Sequence, residues 1–91
     1  MIKLSRNARN VRVTFALPLD HSASGCSVVG DFNGWQPGAH RLRRRSNGTH
    51  SAAVTLQRGT RVRFRYLGSN GHWFNDPDVA ELDGLDSVLV V

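Results

Sequence analysis

Apolar and polar residues alternate along this chain in short runs, and nowhere do apolar residues recur at helical spacing over ten positions. Val11, Val13, Phe15 and Leu17 interleave with Arg12, Thr14 and Ala16. That period of two predicts a half-buried strand, stopped by Pro18. Residues 20–25 are turn formers, and Cys26 to Asp31 is a short strand. Phe32 to Gly38 is a loop containing an Asn-Gly turn. Arg41 to Ser46 reads as a charged strand with Leu42 inward. Asn47-Gly48 is a two-residue hairpin signal, and His50, Ala52, Val54 and Leu56 share one parity on the return strand. After a turn at 57–60, Val62, Phe64 and Tyr66 form the next inward row, opposite Arg61, Arg63 and Arg65. Gly68 to Gly71 makes another hairpin tip, from which His72 to Asn75 returns until Asp76-Pro77 breaks the strand. Residues 78–86 are acidic and irregular, and Ser87 to Val91 is a final apolar strand. Residues 1–9 are polar and basic without a period and read as a flexible arm, leaving 10–91 as one domain. About seven short strands with turns every 8–12 residues predict an all-β, immunoglobulin-like sandwich.

Length narrows the function classes. Ninety-one residues hold one hydrophobic core, whereas a (β/α)8 barrel needs about 250. No apolar stretch is long enough to span a membrane, and the first residues lack the apolar region of a secretory signal. A single cysteine, Cys26, forms no intrachain disulfide and does not supply a multi-cysteine zinc site, so a cytoplasmic setting is expected.

Charge is unevenly placed. All 12 basic residues, 11 of them arginine, lie between Lys3 and Arg65, with only Asp20 and Asp31 among them. From Tyr66 onward there are five acids and no Lys or Arg. Two readings compete: a nucleic-acid face, or an acidic C-terminal third folded against basic strands, which is favoured. Catalytic motifs are missing: no Gly-x-Ser-x-Gly elbow, phosphate-binding loop or His-Glu-x-x-His occurs. Asp76 and Asp78 read as a turn former and a solvated acid rather than a glycosidase pair.

Trp35 and Trp73 both sit beside turns, where an indole is partly exposed. A sugar stacks its apolar C–H face on indole while its hydroxyls keep their hydrogen bonds. Burying about 80 Å² per ring gives roughly 2 kcal/mol, and two rings less the association cost imply a Kd between about 10 μM and 1 mM. Nucleic-acid bases stack on tryptophan equally well.

Val28-Val29-Gly30-Asp31-Phe32-Asn33-Gly34-Trp35 resembles the signature loop of the family 48 carbohydrate-binding modules. Phe64-Arg65-Tyr66 through Gly71-His72-Trp73-Phe74-Asn75-Asp76-Pro77 resembles that family's second signature, and Asp86 to Val91 its last strand. The family includes the early-set domains of isoamylases and glycogen branching enzymes and the glycogen-binding domain of the AMP-activated kinase β subunit. The resemblance covers about residues 11–91. It implies an early-set sandwich that binds α-1,4-glucans such as glycogen, starch or maltooligosaccharides. It also implies roles: Trp35 and Trp73 cradle the sugar chain, Arg65 hydrogen-bonds hydroxyls and Leu82 inserts toward a ring. Asn75 and Asp86 are further polar contacts. The chain departs from the kinase-subunit pattern at Gly84, where threonine is found, and at Asp86, where asparagine is found. Aspartate accepts hydrogen bonds from hydroxyls but does not donate them as the amide does. The hairpin before Gly71 is also one residue longer.

The expected function is therefore non-catalytic glucan binding by a standalone module that needs no cofactor or metal. The second reading is an interaction module that docks a glycogen-metabolising enzyme or self-associates. Nucleic-acid binding through Arg41, Arg43, Arg44, Arg45, Arg61 and Arg63 is the third.

Overall fold

The computed structural model describes residues 1–18, 25–68 and 71–91. Residues 20–24 of the expected first turn and 69–70 of the expected hairpin tip lie outside the described residues. The chain folds into two antiparallel sheets as a β-sandwich. One sheet has the order β1 (Ile2–Arg6), β2 (Asn10–Pro18), β5 (Thr49–Gln57), β4 (Arg43–Arg44). The other has β3 (Ser27–Gly30), β6 (Arg61–Leu67), β9 (Asp86–Val90), β8 (Leu82–Asp83), with β7 (Trp73–Phe74) also on β6. They are called the first and second sheet below.

The alternation in β2 and β6 becomes the core. Val11, Val13, Phe15 and Leu17 face Cys26, Val28, Phe64 and Tyr66 in one buried cluster. Each such side chain contributes roughly 1.5–3 kcal/mol through its removal from water. Aromatic rings run through it in file: Phe32 on Phe15 (5.6 Å between centroids), Phe15 on Phe64 (4.9 Å), Phe64 on Tyr66 (5.9 Å) and Tyr66 on Phe74 (5.4 Å). The file starts in the Trp35 loop and ends beside Trp73, so the core anchors both.

Three expectations change. Residues 1–9 are not a loose arm: Ile2 to Arg6 pairs with β2 from Ile2 opposite Phe15 to Arg6 opposite Val11. Ile2 and Leu4 pack against the core, which rewards pairing that the polar neighbours disguise. The charged strand over 41–46 shrinks to Arg43–Arg44 plus one bridge between Arg41 and Ser27. The acidic segment is not wholly irregular, since Leu82–Asp83 pairs with Ser87 and Asp86. Gly84 opens that two-residue turn at φ 63, at the position a type II′ hairpin reserves for glycine.

Candidate functional site

Residues directly opposite in an antiparallel ladder share a face. On β6, Phe64 and Tyr66 look into the core, so Arg61, Arg63 and Arg65 look outward. The pairing of Leu67 with Trp73 puts the Trp73 indole on that outward face, two positions along from Arg65. The Arg65 guanidinium lies 5.8 Å from the centre of the indole ring system, a cation–π distance. Arg65 Nε also donates to Asn75 Oδ1 at 3.1 Å, and Asn75 Nδ2 donates to the Leu85 carbonyl at 2.9 Å. Trp73, Arg65, Asn75 and the β8–β9 turn are thus one connected unit. Trp73 is 38% exposed.

Trp35 reaches the same strand by another route. Gly30 ends β3 hard against β6: a Cβ there would collide with the Arg63 carbonyl and stand 2.9 Å from Phe64 Cβ. Asp31 therefore starts the next turn beside Arg63. Its Oδ2 accepts from the Arg63 backbone N–H at 3.2 Å and from Arg63 Nε at 3.4 Å, and its Oδ1 accepts from Trp35 Nε1 at 3.1 Å. Partial burial pushes the Asp31 carboxyl up. The Arg63 backbone and guanidinium and the Trp35 N–H outweigh that and hold it below the ordinary carboxylate value. The Asp31 hydrogen bond and charge in turn raise Arg63.

The Trp35 loop is held tightly from within. Asn33 Oδ1 accepts from the Gly30 N–H, and its Nδ2 donates to the Val28 carbonyl and lies 3.0 Å from His40 Nδ1. Gly34 at φ 63 and then Trp35 at φ 59 both adopt left-handed backbone. For a bulky residue that conformation is an outlier costing about 1–3 kcal/mol, and such strain collects at functional sites. Trp35 is half-buried rather than sealed.

Of the residues singled out in the sequence, Trp73, Arg65 and Asn75 are in direct contact, and Trp35 joins their strand through Asp31 and Arg63. Asp86 is half-buried, and its pairing with Asp83 leaves it on the Arg63 face. Leu82 stands apart. It is 54% exposed, but its pairing with Ser87, itself opposite Phe64, puts it on the other face at the sheet edge. Leu85, at the tip beside Asn75, is 73% exposed and went unnoticed in the sequence, where its neighbours read as an acidic loop. Asp31 was visible in the signature loop, yet nothing local points from it to a residue 32 positions away. Asp76 is no mere turn former: it is buried, accepts from the Tyr66 hydroxyl at 2.6 Å and from the Met1 amine at 3.0 Å, and caps the Asp78 N–H. Burial and that carboxylate push the Tyr66 phenol far up.

Among the described residues, no three His, Cys, Asp or Glu side chains are grouped to hold a metal ion, and no helix is long and apolar enough to cross a membrane.

The profile of the family described as carbohydrate-binding module 48 (isoamylase N-terminal domain) matches residues 9–81. Two curated relatives, each a 1,4-alpha-glucan branching enzyme GlgB 2 from Xanthomonas campestris pv. campestris (strains 8004 and ATCC 33913), are 32% identical over 77 residues. Those alignments cover 77% of this chain and 10% of each enzyme, so the chain spans about a tenth of their length.

Proposed function

The chain belongs to the carbohydrate-binding module 48 family, and from that premise we propose that it binds α-1,4-linked glucan without catalysis, stacking sugar rings on Trp35 and Trp73. The observation that carries the reading is that both indoles are tied to the outward face of β6, Trp73 through Arg65 and Trp35 through Asp31 and Arg63. Arg65 and Asn75, already bonded to each other, leave further donor capacity for hydroxyls. Asp86 serves as an acceptor. Leu82 meets the glucan from the sheet edge. Glycogen or another cytoplasmic storage glucan is the substrate class that this reading names. The test is co-sedimentation with glycogen: Trp35→Ala and Trp73→Ala each weaken binding by about 10- to 30-fold while circular dichroism stays that of the parent. Equal pelleting of both variants and parent sinks the assignment.

A second reading has one observation behind it. Leu82 (54% exposed) and Leu85 (73% exposed) stand together at the β8–β9 hairpin on the edge of the second sheet, and exposed apolar edges are places where proteins dock. In that reading the edge meets a glycogen-metabolising enzyme or a second copy. Size-exclusion chromatography of the parent against Leu85→Ser separates the two: a dimer that the variant dissolves supports self-association.

A further inference from the structure

Trp35 adopts a backbone conformation that bulky residues avoid, and among the described residues two hydrogen bonds hold its own atoms there. Its N–H donates to the Gly30 carbonyl at 3.0 Å, and its indole Nε1 donates to Asp31 Oδ1 at 3.1 Å. The first fixes the chain; the second fixes the ring. We propose that Asp31 is the positioning residue of the Trp35 platform: one carboxylate oxygen clamps the indole N–H, the other is pinned to β6 by Arg63, and the sugar-facing orientation of the ring depends on that clamp although Asp31 itself touches no sugar. The consequence for affinity rests on the glucan-binding reading above; the clamp does not.

Charges from every neighbouring element bear on it. Arg63 on β6 neutralises Asp31 directly. Asp83 stands 3.8 Å from the same guanidinium and competes for it, and Asp86 adds its field. Within the loop, His40 meets Asn33 rather than Asp31. Because folding holds the Asp31 carboxyl below its ordinary value, the clamp is complete above the ordinary carboxylate range and is lost as pH falls through the folded-state value. It is therefore insensitive to pH near neutrality.

The experiment follows the Trp35 indole N–H by NMR in the whole chain, the signal being assigned by its loss in Trp35→Phe, alongside titration with maltoheptaose. In Asp31→Ala the indole signal shifts toward that of free tryptophan and its hydrogen exchange quickens. Affinity falls about fivefold, the scale of one lost hydrogen bond. Asp31→Asn, which keeps the volume and one acceptor, shows a smaller change. In a Trp35→Phe background, where no indole N–H exists to be clamped, Asp31→Ala adds nothing. An unchanged indole signal overturns the proposal, and so does an undiminished loss in that background, which would mean a direct sugar contact. Should both variants fail to fold, acid titration of the parent decides. The indole signal must move below the ordinary carboxylate range, and a flat signal overturns the clamp. A parent that ignores maltoheptaose sinks the glucan reading, and the clamp then stands or falls on the indole signal alone.

Discussion

The two outward sheet faces of this small domain are both arginine-rich and are built on opposite electrostatic plans. On the second sheet, Asp83 lies within 3.7–3.8 Å of Arg61 and Arg63, Asp31 binds Arg63, and Arg65 is held by Asn75 and capped by Trp73. On the first sheet, register puts Lys3 beside Thr14, Arg12 between Ser5 and Thr55, and Arg43 beside Ser51. Among the described residues no ion pair involves these cations; Arg45 bonds only the Ser51 hydroxyl and carbonyl. No tryptophan lies on these rows. The acidic C-terminal third does fold against basic groups, as the charge split suggested: Asp83 lies against Arg61 and Arg63 of β6, and Asp76 and Asp78 against the Met1 amine. What the contrast teaches is that the arginine count is a poor guide. On the glucan-binding reading proposed above, the neutralised face that carries the indoles is the one that meets the ligand.

The largest expected effect separates the faces outright. Trp35→Ala combined with Trp73→Ala removes two stacking surfaces of roughly 2 kcal/mol each, so glycogen affinity falls more than about 100-fold. Lys3→Glu combined with Arg12→Glu, on the other face, leaves it within about twofold. Affinity electrophoresis in glycogen gels reads both. A matching loss in the charge variant would mean that the polysaccharide lies across the first sheet.

Salt sharpens the comparison with a smaller but diagnostic effect. Stacking on a neutral glucan releases no counterions, so maltoheptaose affinity changes less than about twofold between 50 and 300 mM salt. Any duplex-DNA binding to the first sheet, by contrast, weakens with a logarithmic slope of about −0.9 per neutralised phosphate, and Arg12→Gln with Arg43→Gln flattens that slope. A steep salt dependence for the glucan itself would contradict an uncharged ligand on the β6 face.

The same contrast explains what was readable in advance. β2 and β6 were legible because four and three inward side chains keep strict alternation, a local signal. β1 was not: only Ile2 and Leu4 mark it, and its strand character comes from β2 pairing with it across the sheet. Trp35, Trp73 and Arg65 are candidates because each sits in a recognisable motif. Asp31, Leu85 and the buried role of Asp76 depend on partners brought by the fold, namely Arg63, Asn75 and Tyr66. Leu82 shows the reverse: the resemblance offers it as the inserting leucine, but a two-residue strand's register decides its face.

The smallest effect is the one whose sign matters most. Removing one charge from either face moves Tm by no more than about 3 °C, since exposed charges contribute little. The direction differs between the faces. Among the described residues Arg12 has no ion-pair partner, so Arg12→Gln relieves repulsion from the other cations of that face and raises Tm slightly at low salt. Asp83 stands between two guanidiniums, so Asp83→Asn removes a carboxylate that both share, leaves Arg63 to Asp31, and lowers Tm. Both shifts shrink toward zero in about 1 M salt, where screening acts over roughly 3 Å. Thermal melts at two ionic strengths measure this directly. Shifts of the same sign would mean that the first sheet's cations are matched after all, and that the difference between the two faces is one of aromatic content alone.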